Sequence, residues 1–132
     1  MRSIPPKAKG TFTLTVLPQH LASQFKDASL PPVLATPVMI MMMENAALNA
    51  IRAFVEPGES VVGTGVTVRH LAATPVGHRV TAEAEVTGVD GRRIEFKVSA
   101  RDEIEEIGTG THERVVVDLH KLGQRLATKG KL

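Results

Sequence analysis

The stretch TPVMIMMMENAALNAIRAFV, residues 36–55, decides the fold. It consists mainly of Met, Ala, Leu, Ile, Asn and Glu, a composition that suits a helix. Thr36-Pro37 is typical of a helix start, with Thr36 as N-cap, and Glu56-Pro57-Gly58 would end the helix after about Val55. Its apolar stripe comprises Ile40, Met41, Ala47, Leu48 and Ile51, widened by Met42, Met43 and Ala46. A helix this apolar on most sides is predicted to be largely buried.

Strands are predicted on both sides of this helix, because apolar and polar residues alternate there. One strand precedes the helix and four follow it, and the last is followed by a short basic amphipathic helix, at about 118–132, capped by Asp118. The predicted strands are Thr11–Leu17, Val61–His70, Arg79–Val89, Arg92–Arg101 and Thr109–Val117.

The connection between the third and fourth predicted strands is constrained by parity. Inward residues are even-numbered on both strands, so directly paired positions must sum to an even number. A two-residue Asp90-Gly91 loop would give an odd sum. We therefore predict a three-residue loop, Val89-Asp90-Gly91, or a bulge, with Gly91 in the left-handed conformation.

The order strand, long helix, four antiparallel strands predicts an α+β architecture. Only the long helix can cover the apolar face of the sheet. An antiparallel sheet wrapped around one central helix is the hotdog fold, and residues 1–132 are predicted to form a single hotdog domain. Such sheets have an open edge, so a homodimer, or a tetramer of paired dimers, is expected.

The composition excludes several classes of function. The chain has 132 residues and a formal charge of +2. It contains no Cys, so thiolate chemistry and disulfides are ruled out. The longest apolar run, Val38–Met43, is too short to span a membrane, and no signal peptide is recognisable, so a cytoplasmic protein is expected. The C-terminus is basic, but the chain has no Trp or Tyr on which bases could stack, so no nucleic-acid partner is predicted. The five His have no ligand spacing, and no metal is predicted.

Glu44 is the residue whose position is hardest to explain by a purely structural role. Ile40 and Met41 precede it by four and three residues, and Ala47 and Leu48 follow it by three and four, so its carboxylate projects from the apolar stripe. A buried carboxylate must be paired, protonated or directed into a cleft. From the position of Glu44 alone, a structural role, with the carboxylate paired with an arginine or with backbone amides, is about as well supported as a functional one.

His70 and Thr36 have plain structural readings of their own. His70 ends the apolar face of its strand, where an isolated His is more often structural or exposed. Thr36 needs no role beyond capping the helix. Neither residue would be assigned to a site from its own position.

Five motifs in register are similar to the fluoroacetyl-CoA thioesterase-like family of hotdog enzymes. They are Leu34-Ala35-Thr36, Glu44 eight residues after Thr36, the segment VRHLAATPVG at 68–77, VDGRR at 89–93 and GTHER at 110–114. The similarity covers Leu30 to Asp118, about two thirds of the chain, in the same order and with matching spacing. Each motif alone is modest, and together they make a specific match.

The resemblance implies that Thr36, Glu44 and His70 form the catalytic set of an acyl-CoA thioesterase that needs no cofactor. It also implies backbone contacts to the thioester near Gly63 and a structural or substrate-side role for Arg114. Leu30 stands where the specialised fluoroacetyl-CoA enzyme has an aromatic lid residue. A broader activity on short-chain acyl-CoA is therefore expected.

The residue types suit thioester hydrolysis, which needs a nucleophile, a proton relay and oxyanion stabilisation. Glu44 could attack the carbonyl or activate water, and His70 could move the proton. Thr36 could be nucleophile, orienter or cap, and the free amides at the start of its helix could hold the oxyanion. The sequence leaves the identity of the nucleophile open.

Two other readings keep the hotdog fold. A non-catalytic acyl-CoA-binding protein would need the pocket but no proton relay. An enoyl-CoA hydratase or dehydratase would typically use an Asp/His pair and a hydration motif, which this sequence lacks.

Overall fold

The computed structural model describes residues 1–131, and they form one antiparallel five-stranded sheet and one long helix. The strands lie in the order β1-β3-β4-β5-β2, so β1 and β2 are the sheet edges. The elements are β1 (Lys9–Thr15), α1 (Ala22–Phe25), α2 (Thr36–Ile51), β2 (Glu59–His70), β3 (Arg79–Asp90), β4 (Arg93–Arg101), β5 (Glu106–Asp118) and α3 (Leu119–Lys129). This arrangement is the predicted hotdog fold.

The core lies between α2 and the concave face of the sheet. The inward residues of β3 and β4 are buried as the alternation predicts, among them Ala82, Ala84, Phe96 and Val98. Gly10 lets β1 cross directly over the helix, since a Cβ there would collide with the backbone of Ala46 and Ala50.

The buried face of α2 is rotated from the predicted stripe. Met39, Met43 and Ala46 are fully buried, whereas Met41 is 38% exposed. Glu44 is half-buried at the border of this face. Residues 38–43 are all apolar, so periodicity there could predict burial but could not orient the helix.

The β3–β4 connection satisfies the parity argument in an unexpected place. The loop is Gly91-Arg92, with Asp90 opposite Arg93, and Gly91 has φ of 61° as predicted. A register shift between Val86 and Gly88 then restores inward-to-inward pairing, so the bulge lies in β3 rather than in the turn.

The ends of α2 and α3 test the predicted caps. The N-cap of α2 is Ala35, and Thr36 is the first helical residue. Asp118 caps α3 as predicted, because its side chain accepts a hydrogen bond from the Lys121 amide at 2.9 Å. The predicted end of this helix, residue 132, lies outside the described residues. Among those residues, no helix is both long and apolar enough to cross a membrane.

Strand β2 forms an open edge of the sheet. It pairs with β5 on one side, and its residues from Gly63 to Thr67 are exposed. A register shift between Gly63 and Gly65 interrupts this pairing. Val66, an apolar residue of this strand, is 41% exposed, because the shift and the edge location leave it uncovered.

Candidate functional site

Thr36 and His70 come together where α2 begins and β2 ends. The Thr36 hydroxyl lies 2.8 Å from His70 Nδ1. Backbone hydrogen bonds hold both segments, since the Leu34 amide donates to the Thr74 carbonyl at 2.8 Å and the Leu71 amide donates to the Ile107 carbonyl at 2.7 Å. The hydroxyl predicted to cap the helix makes no capping hydrogen bond and is instead directed to a histidine.

His70 is set up to be neutral near pH 7. Burial lowers the pKa of its imidazole, and the nearby Ala72 backbone opposes this only in part. Its Nε2 is buried and has no hydrogen-bond partner among residues 1–131. The ring can therefore accept a proton, either at Nε2 or at Nδ1 from the Thr36 hydroxyl, depending on its tautomer.

The first turn of α2 offers fewer free amides than the sequence suggests. Pro37 has no N–H, and the amides of Val38 and Met39 both donate to the Ala35 carbonyl, at 3.0 and 3.2 Å. In the described chain this leaves Thr36 with the one unpaired amide of that turn. An oxyanion site built on several amides there, as predicted, is not what the structure forms.

A groove of about 420 Å³ opens beside this pair. Leu30, Leu34, Thr36, His70 and Ala72 are among its lining residues. Leu30, predicted to stand at the lid position, thus lies beside the Thr36–His70 pair. Among residues 1–131, no group of three His, Asp or Glu is arranged to hold a metal ion.

Glu44, Gly63 and Arg114 form a second group. Gly63 pairs with Arg114 across β2 and β5. A Cβ built on Gly63 would lie 3.1 Å from Glu44 Oε2 and 3.7 Å from an Arg114 guanidinium nitrogen. Glycine thus allows the carboxylate to approach the strand closely. Among the described residues the Glu44 carboxylate makes no hydrogen bond, so it is available to another molecule.

Arg114 is a half-buried cation with incomplete pairing. It donates to the Val61 carbonyl at 2.7 Å and lies 3.3 Å from His112 Nε2, whereas its Nε is buried without a partner among residues 1–131. Burial lowers the pKa of its guanidinium, and the Glu44 charge opposes this. Glu44 therefore supports the charged form of Arg114 across Gly63.

The two groups lie apart within one chain. Thr36 and Glu44 are eight residues apart on the same helix, a separation of about 12 Å along its axis. Glu44 lies beside Gly63, and its charge acts on Arg114, whereas it makes no hydrogen bond to the Thr36–His70 pair of the same chain. Of the predicted site residues, the structure therefore brings together Thr36, His70 and Leu30 on one side and Glu44, Gly63 and Arg114 on the other.

His112 is the site neighbour that the sequence reasoning missed. It is 4% exposed and lies two residues before Arg114 on the same face of β5. The signal was available, because the motif GTHER places a His and an Arg at strand spacing. A second missed pair, the Thr74 hydroxyl donating to the Asp102 carboxylate at 2.9 Å, anchors the loop after His70.

Comparison with known proteins identifies the family of the chain. The family model described as fluoroacetyl-CoA-specific thioesterase matches residues 16–120. A fluoroacetyl-CoA thioesterase from Streptantibioticus cattleyicolor is 46% identical over 112 residues, covering 84% of this chain and 81% of that protein.

Solved structures show the same relationship. A fluoroacetyl-CoA thioesterase structure superposes with a TM-score of 0.90 at 38% identity, covering 96% of this chain and 98% of the other. A Thermus thermophilus hypothetical protein, described as a thioesterase superfamily member, gives 0.89 at 32% identity, covering 99% and 98%. The chain belongs to the fluoroacetyl-CoA-specific thioesterase family.

Proposed function

We propose that this protein hydrolyses short-chain acyl-CoA thioesters to the free acid and coenzyme A. The observation that carries the proposal is the Thr36 hydroxyl held 2.8 Å from a half-buried His70 in a groove, in a chain of this family. A hydroxyl bonded to an imidazole that is neutral at pH 7 is the arrangement used to move a proton during acyl transfer.

The roles proposed for the three residues follow from their surroundings. The oxygen of water, activated by Glu44, adds to the thioester carbonyl, or the Glu44 carboxylate adds first and water then cleaves the anhydride. In the first route Glu44 takes a proton from the attacking water, and His70 relays it to the leaving thiolate as the C–S bond breaks. In the second route the thiolate leaves as the anhydride forms, and the water that cleaves the anhydride supplies the proton that His70 relays to it. Thr36 orients His70 or joins the relay. Backbone at Gly63 and the Arg114 cation are proposed to contact the acyl-thioester group, where negative charge develops.

A dimer would bring the two separated groups together. β2 is an open edge, and pairing two copies along it about a two-fold axis makes the strands antiparallel. If Gly63 of one copy lies opposite His70 of the other, the axis passes near Val66 and Thr67. Glu44 of one chain would then approach the Thr36–His70 pair of the second chain. We therefore propose a homodimer as the active unit, whether or not two dimers pair into a tetramer.

The residue at position 30 bears on the acyl group. Leu30 lines the groove beside Thr36 and His70, and it is smaller and more flexible than an aromatic ring. A flexible aliphatic side chain there should admit several short acyl chains. We propose a broader short-chain preference rather than selectivity for fluoroacetyl-CoA.

Other parts of the proposal rest on the sequence. The reaction as written calls on no metal or cofactor, because side chains and water supply every proton and nucleophile. We propose that the whole chain acts as one thioesterase domain with no nucleic-acid or membrane partner. A cytoplasmic location stays a prediction.

The test is a thiol-release assay over acyl-CoAs of increasing chain length, with fluoroacetyl-CoA included. We expect turnover of short acyl-CoAs, and a strong loss of kcat in Glu44→Gln and His70→Ala, on the order of 10²-fold or more. Glu83→Gln, on the exposed face of β3, is the matched control and should keep wild-type turnover. Near-normal turnover by Glu44→Gln would contradict the assignment, and binding without CoA release would favour a non-catalytic protein.

A further inference from the structure

His112 lies at the junction of three strands beside Glu44 and Arg114. On β5 it stands opposite Phe96 of β4 and Val66 of β2. Its ring stacks on Phe96 with centroids 5.7 Å apart. Its Nδ1 lies 2.8 Å from the Gly65 carbonyl, at the register shift of β2. A buried imidazole thus connects the core to the bulge next to Gly63.

The hydrogen bonds of His112 define its tautomer. A carbonyl can only accept, so Nδ1 carries the proton and donates to Gly65. In the neutral ring Nε2 then has a free lone pair, and the guanidinium nitrogen 3.3 Å away donates to it. A protonated ring would have no lone pair left for Arg114 and would place two cations side by side.

The surroundings of His112 favour this neutral form overall. Burial is the largest effect and lowers the pKa of the imidazole, and the Arg114 charge acts in the same direction. The Gly65 carbonyl and the carboxylates of Glu44 and Glu113 act against it, and the net shift is downward. Near pH 7 the ring therefore serves Arg114 as an acceptor.

We propose that His112 is a positioning residue, which holds Arg114 through Nε2 and the Gly63–Gly65 bulge through Nδ1 so that both face Glu44. Among residues 1–131, Arg114 has two acceptors, the Val61 carbonyl and His112, to fix the plane of its guanidinium. Without His112 the guanidinium can rotate about the single remaining contact. The effect on catalysis rests on the thioesterase function proposed above.

His112→Phe separates positioning from packing. Phenylalanine keeps an aromatic ring against Phe96 but removes both hydrogen bonds. If His112 only packs, turnover should stay near the wild-type level. If it positions Arg114, kcat/KM should fall by about tenfold or more, as expected when a contributing group is misplaced by a fraction of an ångström.

Two amide variants should each keep one of the two hydrogen bonds of His112. The Gln amide reaches the position of Nε2 and can accept from Arg114, whereas the Asn amide reaches the position of Nδ1 and can donate to Gly65. Because Arg114 is the cation proposed to face the developing negative charge, we expect the Nε2 hydrogen bond to matter more than the Nδ1 one, and His112→Gln should recover more activity than His112→Asn. In a double-mutant cycle, His112→Phe should cost little further activity once Arg114→Met is present.

Nuclear magnetic resonance tests the positioning without catalysis. The ¹⁵N spectrum of the native protein should show a protonated Nδ1 and an unprotonated Nε2 for His112. His112→Phe should broaden or shift the Arg114 guanidinium signals while thermal melting stays cooperative. This result is independent of acyl-CoA cleavage, so a native protein that shows this pattern but releases no CoA overturns only the proposed function.

Three results would overturn the positioning role. They are an unprotonated Nδ1, Arg114 signals that do not change in His112→Phe, and an activity pattern without coupling, which means wild-type turnover in His112→Phe or losses that multiply in the double variant.

Discussion

Replacing Gly63 with alanine would test whether Glu44 must approach β2 closely to act. The new Cβ would lie 3.1 Å from Glu44 Oε2, which is about 0.3 Å inside an ordinary contact of 3.4 Å. Its distances to His112 Cε1 and an Arg114 nitrogen, 3.4 and 3.7 Å, are already acceptable. Gly63 does not have a positive φ, so alanine fits the backbone. The carboxylate is therefore the group that has to move.

The size of the effect follows from that displacement. A misplacement of 1 Å can cost about 10²-fold in rate, so about 0.3 Å should lower kcat roughly fourfold. Stability should not fall with it, because Gly→Ala at a compatible position stabilises by about 0.4–1 kcal/mol through the unfolded chain. Lower kcat without lower stability is the expected signature.

The matched control is Gly88→Ala. Gly88 also flanks a register shift, in β3, and a Cβ there would meet only a Glu95 carboxylate oxygen at 3.8 Å. Both variants would be measured by thiol release from acetyl-CoA and by urea unfolding. Wild-type kcat in Gly63→Ala would refute the argument, and a fall of equal size in Gly88→Ala would show that the effect is not specific to Glu44.

Two further predictions concern stability. Burial lowers the pKa values of His70 and His112, so on acidification the unfolded chain binds protons that the folded chain does not. The free energy of unfolding should therefore be at its full value above about pH 6.5 and should decrease below it. Urea unfolding between about pH 7.5 and 5.5 should show this decrease, and a flat profile would contradict it. Gly10→Ala should destabilise the fold more than Gly108→Ala. The Gly10 Cβ would meet the α2 backbone, whereas the Gly108 Cβ would meet the flexible side chains of Met39 and Met43. We expect Gly108→Ala to cost about 1–3 kcal/mol. Equal losses in urea unfolding would show that the helix can shift.

The fold could be predicted from the sequence wherever pattern and composition agree. Alternation in β3 and β4 predicted their inward residues, and parity required an irregularity between them. Its location in β3 could not be predicted, because a bulge anywhere between the turn and the inward residues satisfies the same parity. The buried face of α2 was misplaced for a related reason, since six consecutive apolar residues contain no periodicity.

The candidate site was predictable residue by residue but not as an arrangement. Thr36 has the sequence signature of an N-cap, and only the position of His70 at the end of β2 shows that its hydroxyl is used elsewhere. Glu44 could be recognised as unusual from its own helix. Its neighbours Gly63 and Arg114 are 19 and 70 positions further along the chain, and no local pattern connects residues so distant.

The glycines of β2 connect the fold to the proposed chemistry. Glycine weakens a strand, so Gly63 and Gly65, on either side of a register shift, lower the stability of this edge strand. Gly63 is nevertheless the position where a carboxylate approaches the backbone, and the Gly65 carbonyl receives the His112 ring. An added Cβ at 63 is tight against Glu44, whereas one at 65 meets only the Glu113 Cβ, at 3.9 Å. Gly63 is thus favoured by the carboxylate that approaches it, whereas Gly65 is free to change as long as its carbonyl keeps its place.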